Sequence, residues 1–191
     1  MALGTLASIA LVRYRFPGRE VINTLLLSPL IVPGIVAGTA IYVFFVALDN
    51  QFEWEMKGTL PGLVAAHIML TLPWTVRLIS ASLQGIDRSV EEAAFSLGAN
   101  PWRMAHRVLF PLAMPGILAG TILTFILAMN AYATPVLLGG PRFQTMGPLV
   151  YNQFLQQNNW PFGGAIAFIL MTATLILTAT ANLLVQRRYR D

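Results

Sequence analysis

Long apolar runs separated by short polar ones dominate the chain. A membrane-crossing helix takes about 20 mostly apolar residues to span about 30 Å of hydrocarbon. Four runs reach that length, at residues 21–48, 60–83, 110–138 and 163–185. Prolines and glycines inside them fit this reading, because helices in lipid tolerate both better than soluble helices do. A fifth run, residues 1–12, is too short, because as a helix it reaches only about 18 Å. The pattern predicts an all-α fold, a polytopic transmembrane bundle of four full spans plus a partial N-terminal one.

The short first run is not patterned as a signal peptide. That needs positive charge before the apolar core, whereas Arg13, Arg15 and Arg19 follow it. It is expected to be the tail of a longer helix, which makes residues 1–191 a single membrane domain truncated at its N-terminus. Nine of the twelve basic residues fall in one set of loops: Arg13, Arg15, Arg19, Arg88, Arg103, Arg107, Arg187, Arg188 and Arg190. Lys57 and Arg142 fall in the other set, and Arg77 lies inside a span. Basic loops stay on the cytoplasmic side, so the C-terminus is expected there. The two opposite loops, residues 49–59 and 139–162, hold Phe52, Trp54 and Trp160 among polar groups. They read either as an aromatic belt at the headgroups or as a docking surface for an external partner.

Two segments echo each other. Residues 29–39 and 111–121 are identical at eight of eleven positions, and each carries two glycines four apart. Such spacing lets helices approach closely. It fits an internal repeat or the small vocabulary from which membrane helix starts are drawn.

The polar stretch 84–110 carries the most information. Ser89 with Glu92 three residues later spells a capping box, and Asp87 is a competing cap. Val90, Ala93, Ala94 and Leu97 form one apolar edge at helical spacing. Gly98 suits the left-handed residue that closes a helix. Asn100 and Pro101 then supply a cap and a first-turn proline for a second short helix. That helix puts Trp102, Ala105, Val108 and Leu109 on one side and Arg103 and Arg107 on another. Such a unit either docks on another protein or packs on its own domain.

Composition narrows the function classes. The chain is 56% hydrophobic and 10% charged, far below the roughly 25% charge of soluble domains. Its net charge of +4 comes from short clusters, not from a basic stripe with interleaved aromatics, so no nucleic-acid partner is expected. Cysteine is absent, which removes disulfides, thiolate metal sites and cysteine nucleophiles. His67 and His106 have no ligands at metal spacing; one reads as a polar group of a membrane helix, the other as a surface residue. Nothing organises a catalytic constellation, and no cofactor is expected. The lone lysine, Lys57, is not in a phosphate-cradling loop, so any ATP must be hydrolysed by a partner.

The stretch Glu92-Ala93-Ala94, three residues, Gly98, nine residues, then Val108-Leu109-Phe110-Pro111 resembles the EAA motif of permease subunits in type I ABC importers. The family pattern ends in Ile-x-Leu-Pro, so Val108 and Phe110 are mild apolar departures. The resemblance runs over essentially the whole chain and is greatest to the spermidine/putrescine branch, through the run 133–140. It implies a permease domain whose cytoplasmic coupling loop, residues 84–110, seats Glu92, Ala93, Ala94 and Gly98 in a groove of an ATPase dimer, with Pro111 closing the motif. It further implies a second permease subunit, identical or related, a periplasmic or lipid-anchored solute-binding protein, and residence in the lipid of a bacterial inner membrane. Family members have more spans than are found here.

Polar groups at membrane depth tend to line a pathway or a bundle interior. Trp74, Arg77, Asn130 and Tyr132 are the substrate-path candidates. Arg77 could also pair with the cytoplasmic loop or snorkel to headgroups, the commonest outcome for such a residue, and Asn130 could bond between helices. The expected cargo is a small solute, with polyamine favoured, although no carboxylate lies inside a span. An ion-coupled carrier or channel is the alternative, as is an inactive permease fragment. Carriers place paired ionisable groups at mid-membrane, and only Arg77 is available.

Overall fold

The computed structural model describes residues 1–140 and 143–189. The regular secondary structure of the described residues is all helical, without strands. In order they are α1 (Ala2–Arg13), α2 (Arg19–Leu27), α3 (Gly34–Phe52), α4 (Leu60–Gln84), α5 (Arg88–Ser96), α6 (Pro101–Met104), α7 (Phe110–Met129), α8 (Met146–Tyr151) and α9 (Trp160–Tyr189). Four helices are long and apolar enough to cross a membrane: Gly34–Phe52, Leu60–Gln84, Pro101–Met129 and Trp160–Thr180. The expected all-α bundle is therefore present. Arg142, Arg190 and the side chains of Arg187 and Arg188 lie outside the described residues, so the charge bias rests on the remaining arginines.

Helix α4 is the centre of the bundle, with α1 and α7 packed along it. Small residues make this possible. A Cβ on Gly4 would collide with the Thr75 side chain, and one on Gly116 would fall 2.5 Å from Ser82 Cβ and 2.9 Å from Leu78 O. Ser8 Oγ sits 2.7 Å from Gly4 O and 3.2 Å from Val76 O, sharing its hydrogen between its own helix and α4. Without a hydrophobic drive between helices in lipid, close backbone approach and such bonds hold spans together. The packing leaves two buried clusters. One joins Val12, Ile79, Leu83, Leu109 and Ala113 toward the arginine-rich end. The other joins Ile41, Phe45, Ala66 and Leu138. Large apolar side chains such as Phe44, Phe168, Leu175 and Ile176 face outward, where lipid is their natural solvent.

Several sequence expectations need correction. The run 21–48 is not one span. Helix α2 and a 3-10 turn, Ser28–Leu30, precede a break, and the span begins only at Gly34. Pro33 has no N–H to give and disfavours helix at Val32. Helix α2 buries none of its residues in the bundle. The run 110–138 also breaks. Helix α7 stops at Met129, and a separate π-helical turn, Pro135–Gly139, comes after it. The echoing segments differ too: Pro33 stands before a helix, while Pro115 lies inside α7. Gly116 and Gly120 are buried at the α4 seam, whereas a side chain at Gly34 would meet nothing. Close packing therefore holds for the second copy, and only Gly38 of the first approaches a neighbour, Leu137.

Candidate functional site

Helix α5 hangs at the arginine-rich end between α4 and α6. Its start is not the expected capping box. Asp87 is the N-cap, accepting from the Ser89 N–H at 2.9 Å, and Ser89 lies within the first turn. Asp87 wins because it sits immediately before the first helical residue, where a side-chain oxygen reaches the free N–H groups. The bonds from Ser89 hold the Asp87 carboxyl below the ordinary value of 3.8. Glu92 is left exposed.

The end of α5 is as expected. Gly98 has φ +81. The Ala99 N–H reaches Ala94 O at 3.0 Å and the Gly98 N–H reaches Phe95 O at 2.9 Å, the paired bonds of a Schellman turn. Asn100 Oδ1 then accepts from the Arg103 N–H at 2.8 Å, with Pro101 opening α6. The expected second short helix does not stand alone. Helix α6 continues through a π turn, Ala105–Leu109, straight into α7, so the second half of the unit is the end of a span.

The apolar edge of α5 is uncovered. Val90 and Ala93 are exposed, and Leu97 is 89% exposed at the tip. Trp102, in α6, is 75% exposed. Ala94, Leu97, Gly98, Ala99, Val108, Arg103 and Arg107 border an open groove of about 260 Å³. The opposite side of α5 is anchored. Glu91 Oε1 lies 2.7 Å from Arg13 Nε, with both side chains largely buried. Arg13 Nη2 also donates to Ile86 O at 3.1 Å. Sequence reading missed this pair, because 77 residues separate the two partners and no local pattern links them.

A second candidate site lies midway along α4. A cavity of about 230 Å³ is bordered by His67, Thr71 and Trp74 from α4, by Gly34, and by Tyr132 and Thr134 beyond the end of α7. It sits where α3 starts and α7 stops, and broken helices are where transporters build binding sites. Trp74 and Tyr132 both border this cavity, and the Tyr132 ring packs at a tilt of 49° against Tyr151 with centroids 4.7 Å apart. His67 Nδ1 lies 2.9 Å from Leu63 O, so a neutral ring that donates there keeps Nε2 as an acceptor. Asn130 does not join the cavity; its amide donates to Ile126 O at 2.9 Å, closing its own helix. Arg77 is exposed and does not line it. His67, Thr71 and Thr134 were not foreseen as lining residues, since isolated polar residues in a span give no signal of direction. Among the described residues no group of metal-binding side chains comes together.

Residues 1–190 match the family described as "Binding-protein-dependent transport system inner membrane component". The putrescine transport system permease protein PotI of Escherichia coli is 31% identical over 99% of this chain and 69% of its own length. The spermidine/putrescine transport system permease protein PotC of Escherichia coli is 30% identical over 95% of the chain and 66% of its own length. A sulfate transport system permease protein, CysT of Synechocystis, is 32% identical over 99% and 70%. The chain thus spans about two thirds of the length of these relatives. Among solved structures, a bacterial ABC transporter involved in alginate import shares the fold with a TM-score of 0.78 at 16% identity, covering 97% of this chain and 72% of that one. The methionine ABC transporter MetNI, in an inward-facing form, gives 0.77 at 17% identity over 98% and 86%.

Proposed function

This chain belongs to the inner membrane components of binding-protein-dependent transport systems, and from that premise we propose that it is the polyamine-carrying permease of an ATP-driven importer, worked through α5. The observation that carries the coupling role is the uncovered edge of α5, ending in Leu97 and the left-handed Gly98. In this reading residues 84–110 form the coupling loop. Glu92, Ala93, Ala94 and Gly98 seat in a groove of a cytoplasmic ATPase dimer, and Pro111 marks where the helix continues toward the membrane. Small residues let two backbones approach closely, as they do between α4 and α7. ATP is bound and hydrolysed by that partner. A second permease copy or relative completes the pathway, a solute-binding protein delivers cargo from outside, and the C-terminus faces the cytoplasm of a bacterial cell.

The polyamine reading draws on the cavity. Its border offers two aromatic faces, a histidine and two threonines, and neither a carboxylate nor a lysine or arginine. An ammonium group over an aromatic face gains about 0.5–2 kcal/mol, while a sulfate would find no lysine or arginine on the border to balance its charge. PotI and PotC are polyamine permeases and CysT is a sulfate permease, so cargo needs a direct test.

The chain is tagged, purified in mild detergent from native membranes, and its companions are identified by mass. The complex is then placed in vesicles with ATP and either labelled putrescine or labelled sulfate. Recovery of a P-loop ATPase with putrescine uptake is the expected result. Trp74→Ala should raise the half-saturating putrescine concentration by about 2- to 30-fold, the factor that a lost cation–π contact corresponds to. Uptake of sulfate alone would overturn the polyamine reading. Recovery of the intact chain without an ATPase would overturn the coupling role.

A further inference from the structure

We propose that Arg13 and Glu91 are positioning residues, an internal strut that fixes the angle of α5 against the bundle; the inference rests on the coupling role proposed for α5. Arg13 is the last residue of α1 and Glu91 lies in the first turn of α5. Each charge therefore sits at the helix end whose dipole favours it, cation at a C-terminus and anion at an N-terminus. The 2.7 Å ion pair joins those two ends, with side chains 9% and 13% exposed. Shielded from water, the attraction is screened far less than at a surface.

Arg13 is itself held from both sides. The residue before it, Val12, is part of the buried cluster with Ile79, Leu83 and Leu109. Its Nη2 ties down Ile86 O, in the link between α4 and α5. In return, Arg88 Nη2 comes within 3.5 Å of the Arg13 carbonyl. The strut thus connects α5 to the core through α1 and bypasses the short link that would otherwise be its hinge. Removing one partner leaves the other charge largely buried and unpaired, which is the costly way to break such a pair. Glu91 and the neighbouring Glu92 divide the work: Glu91 faces inward, and Glu92 is free to meet a partner.

The test uses spin labels on cysteines placed at Leu6 in α1 and Ser96 in α5, both exposed. The chain contains no other cysteine. The full chain is measured in lipid nanodiscs, with the native pair, with Glu91→Gln, with Arg13→Gln, and with the exchange Arg13→Glu plus Glu91→Arg. One narrow distance is expected for the native pair. Each single variant should populate displaced α5 about tenfold more, a conservative figure for a broken pair this shielded. The exchange should recover part of the narrow distance, because it restores the ion pair but not the bond to Ile86. In the assembled complex, solute moved per ATP should fall in the single variants while the ATPase stays bound. A narrow distance unchanged in both single variants overturns the strut. Displaced α5 with an unchanged solute-to-ATP ratio overturns its role in transport. Failure of the unaltered chain to retain any ATPase would sink the coupling role itself, and this inference with it.

Discussion

Replacing Gly98 separates two reasons for a glycine at the end of α5. Its φ of +81 is in the left-handed region, and a Cβ added there meets nothing within 4 Å. Alanine therefore creates no clash inside the chain. Its cost is conformational, about 1–2 kcal/mol for a left-handed L-residue. If the glycine serves only the turn, Gly98→Ala should weaken binding of the ATPase by about 5- to 30-fold, the factor equivalent to that cost. Asparagine tolerates the left-handed region, so Gly98→Asn should then recover most of the loss. If the glycine also serves close approach, both substitutions should fall well beyond that range, since any side chain would stand between the two backbones. Gly98→Asp, which adds a charge, should weaken docking and leave membrane insertion intact. The assay is a binding isotherm between detergent-purified chain and its co-purified ATPase, read beside ATPase stimulation. Native affinity in both Gly98→Ala and Gly98→Asn would refute the assignment of α5 as the docking element.

Two further substitutions probe the scaffold. Gly116→Ala places a Cβ 2.5 Å from Ser82 Cβ and 2.9 Å from a backbone carbonyl of α4. The helices must part, at a cost of about 1–3 kcal/mol, seen as a lower midpoint of thermal unfolding in detergent. Gly120→Ala meets the end of the Met1 side chain at 3.3 Å, Thr75 Cα at 3.8 Å and Ile79 Cγ1 at 3.9 Å, so its midpoint should move much less. Just beyond the end of α4, the Asp87 cap gives α5 a pH dependence. The folded carboxyl titrates below its ordinary 3.8, so its contribution is present above that value and is lost as pH falls through the lowered one. Protection of the Ser89 amide, measured against its intrinsic exchange rate at each pH, should fall only in that acid range, and Asp87→Asn, which keeps an accepting oxygen, should remove most of the dependence.

Span number and helix type were legible because length and apolarity decide them directly. Where each span begins was less so. Composition cannot separate an apolar helix from an apolar break, and Pro33 opens a helix and Asn130 closes one without lowering the hydrophobicity around them. The turn at Gly98 and the cap at Asn100 were legible because both are local, made by residues within one turn. The cap of α5 was misread among local rivals: Asp87 and Ser89 are both good caps, and only the backbone path chooses. Of the path candidates, Trp74 and Tyr132 converge because two helix ends bring them together. Asn130 is spent on its own helix, and Arg77 faces outward. The Arg13–Glu91 pair had no local signature at all, since it exists only once α1 lies beside α4.

The uninterrupted run from Pro101 to Met129 makes a rod of about 43 Å. It is pressed along part of its length against α4, where Gly116 and Gly120 lie. A rod gripped away from its end is a lever. Pivoting by about 5° at the grip moves a tip about 20 Å away by nearly 2 Å, by simple geometry on that length. The exposed Trp102 and the Tyr132 cavity stand toward opposite arms. A push too small to unfold anything at one end is thereby turned into a displacement comparable with the size of a water molecule at the other.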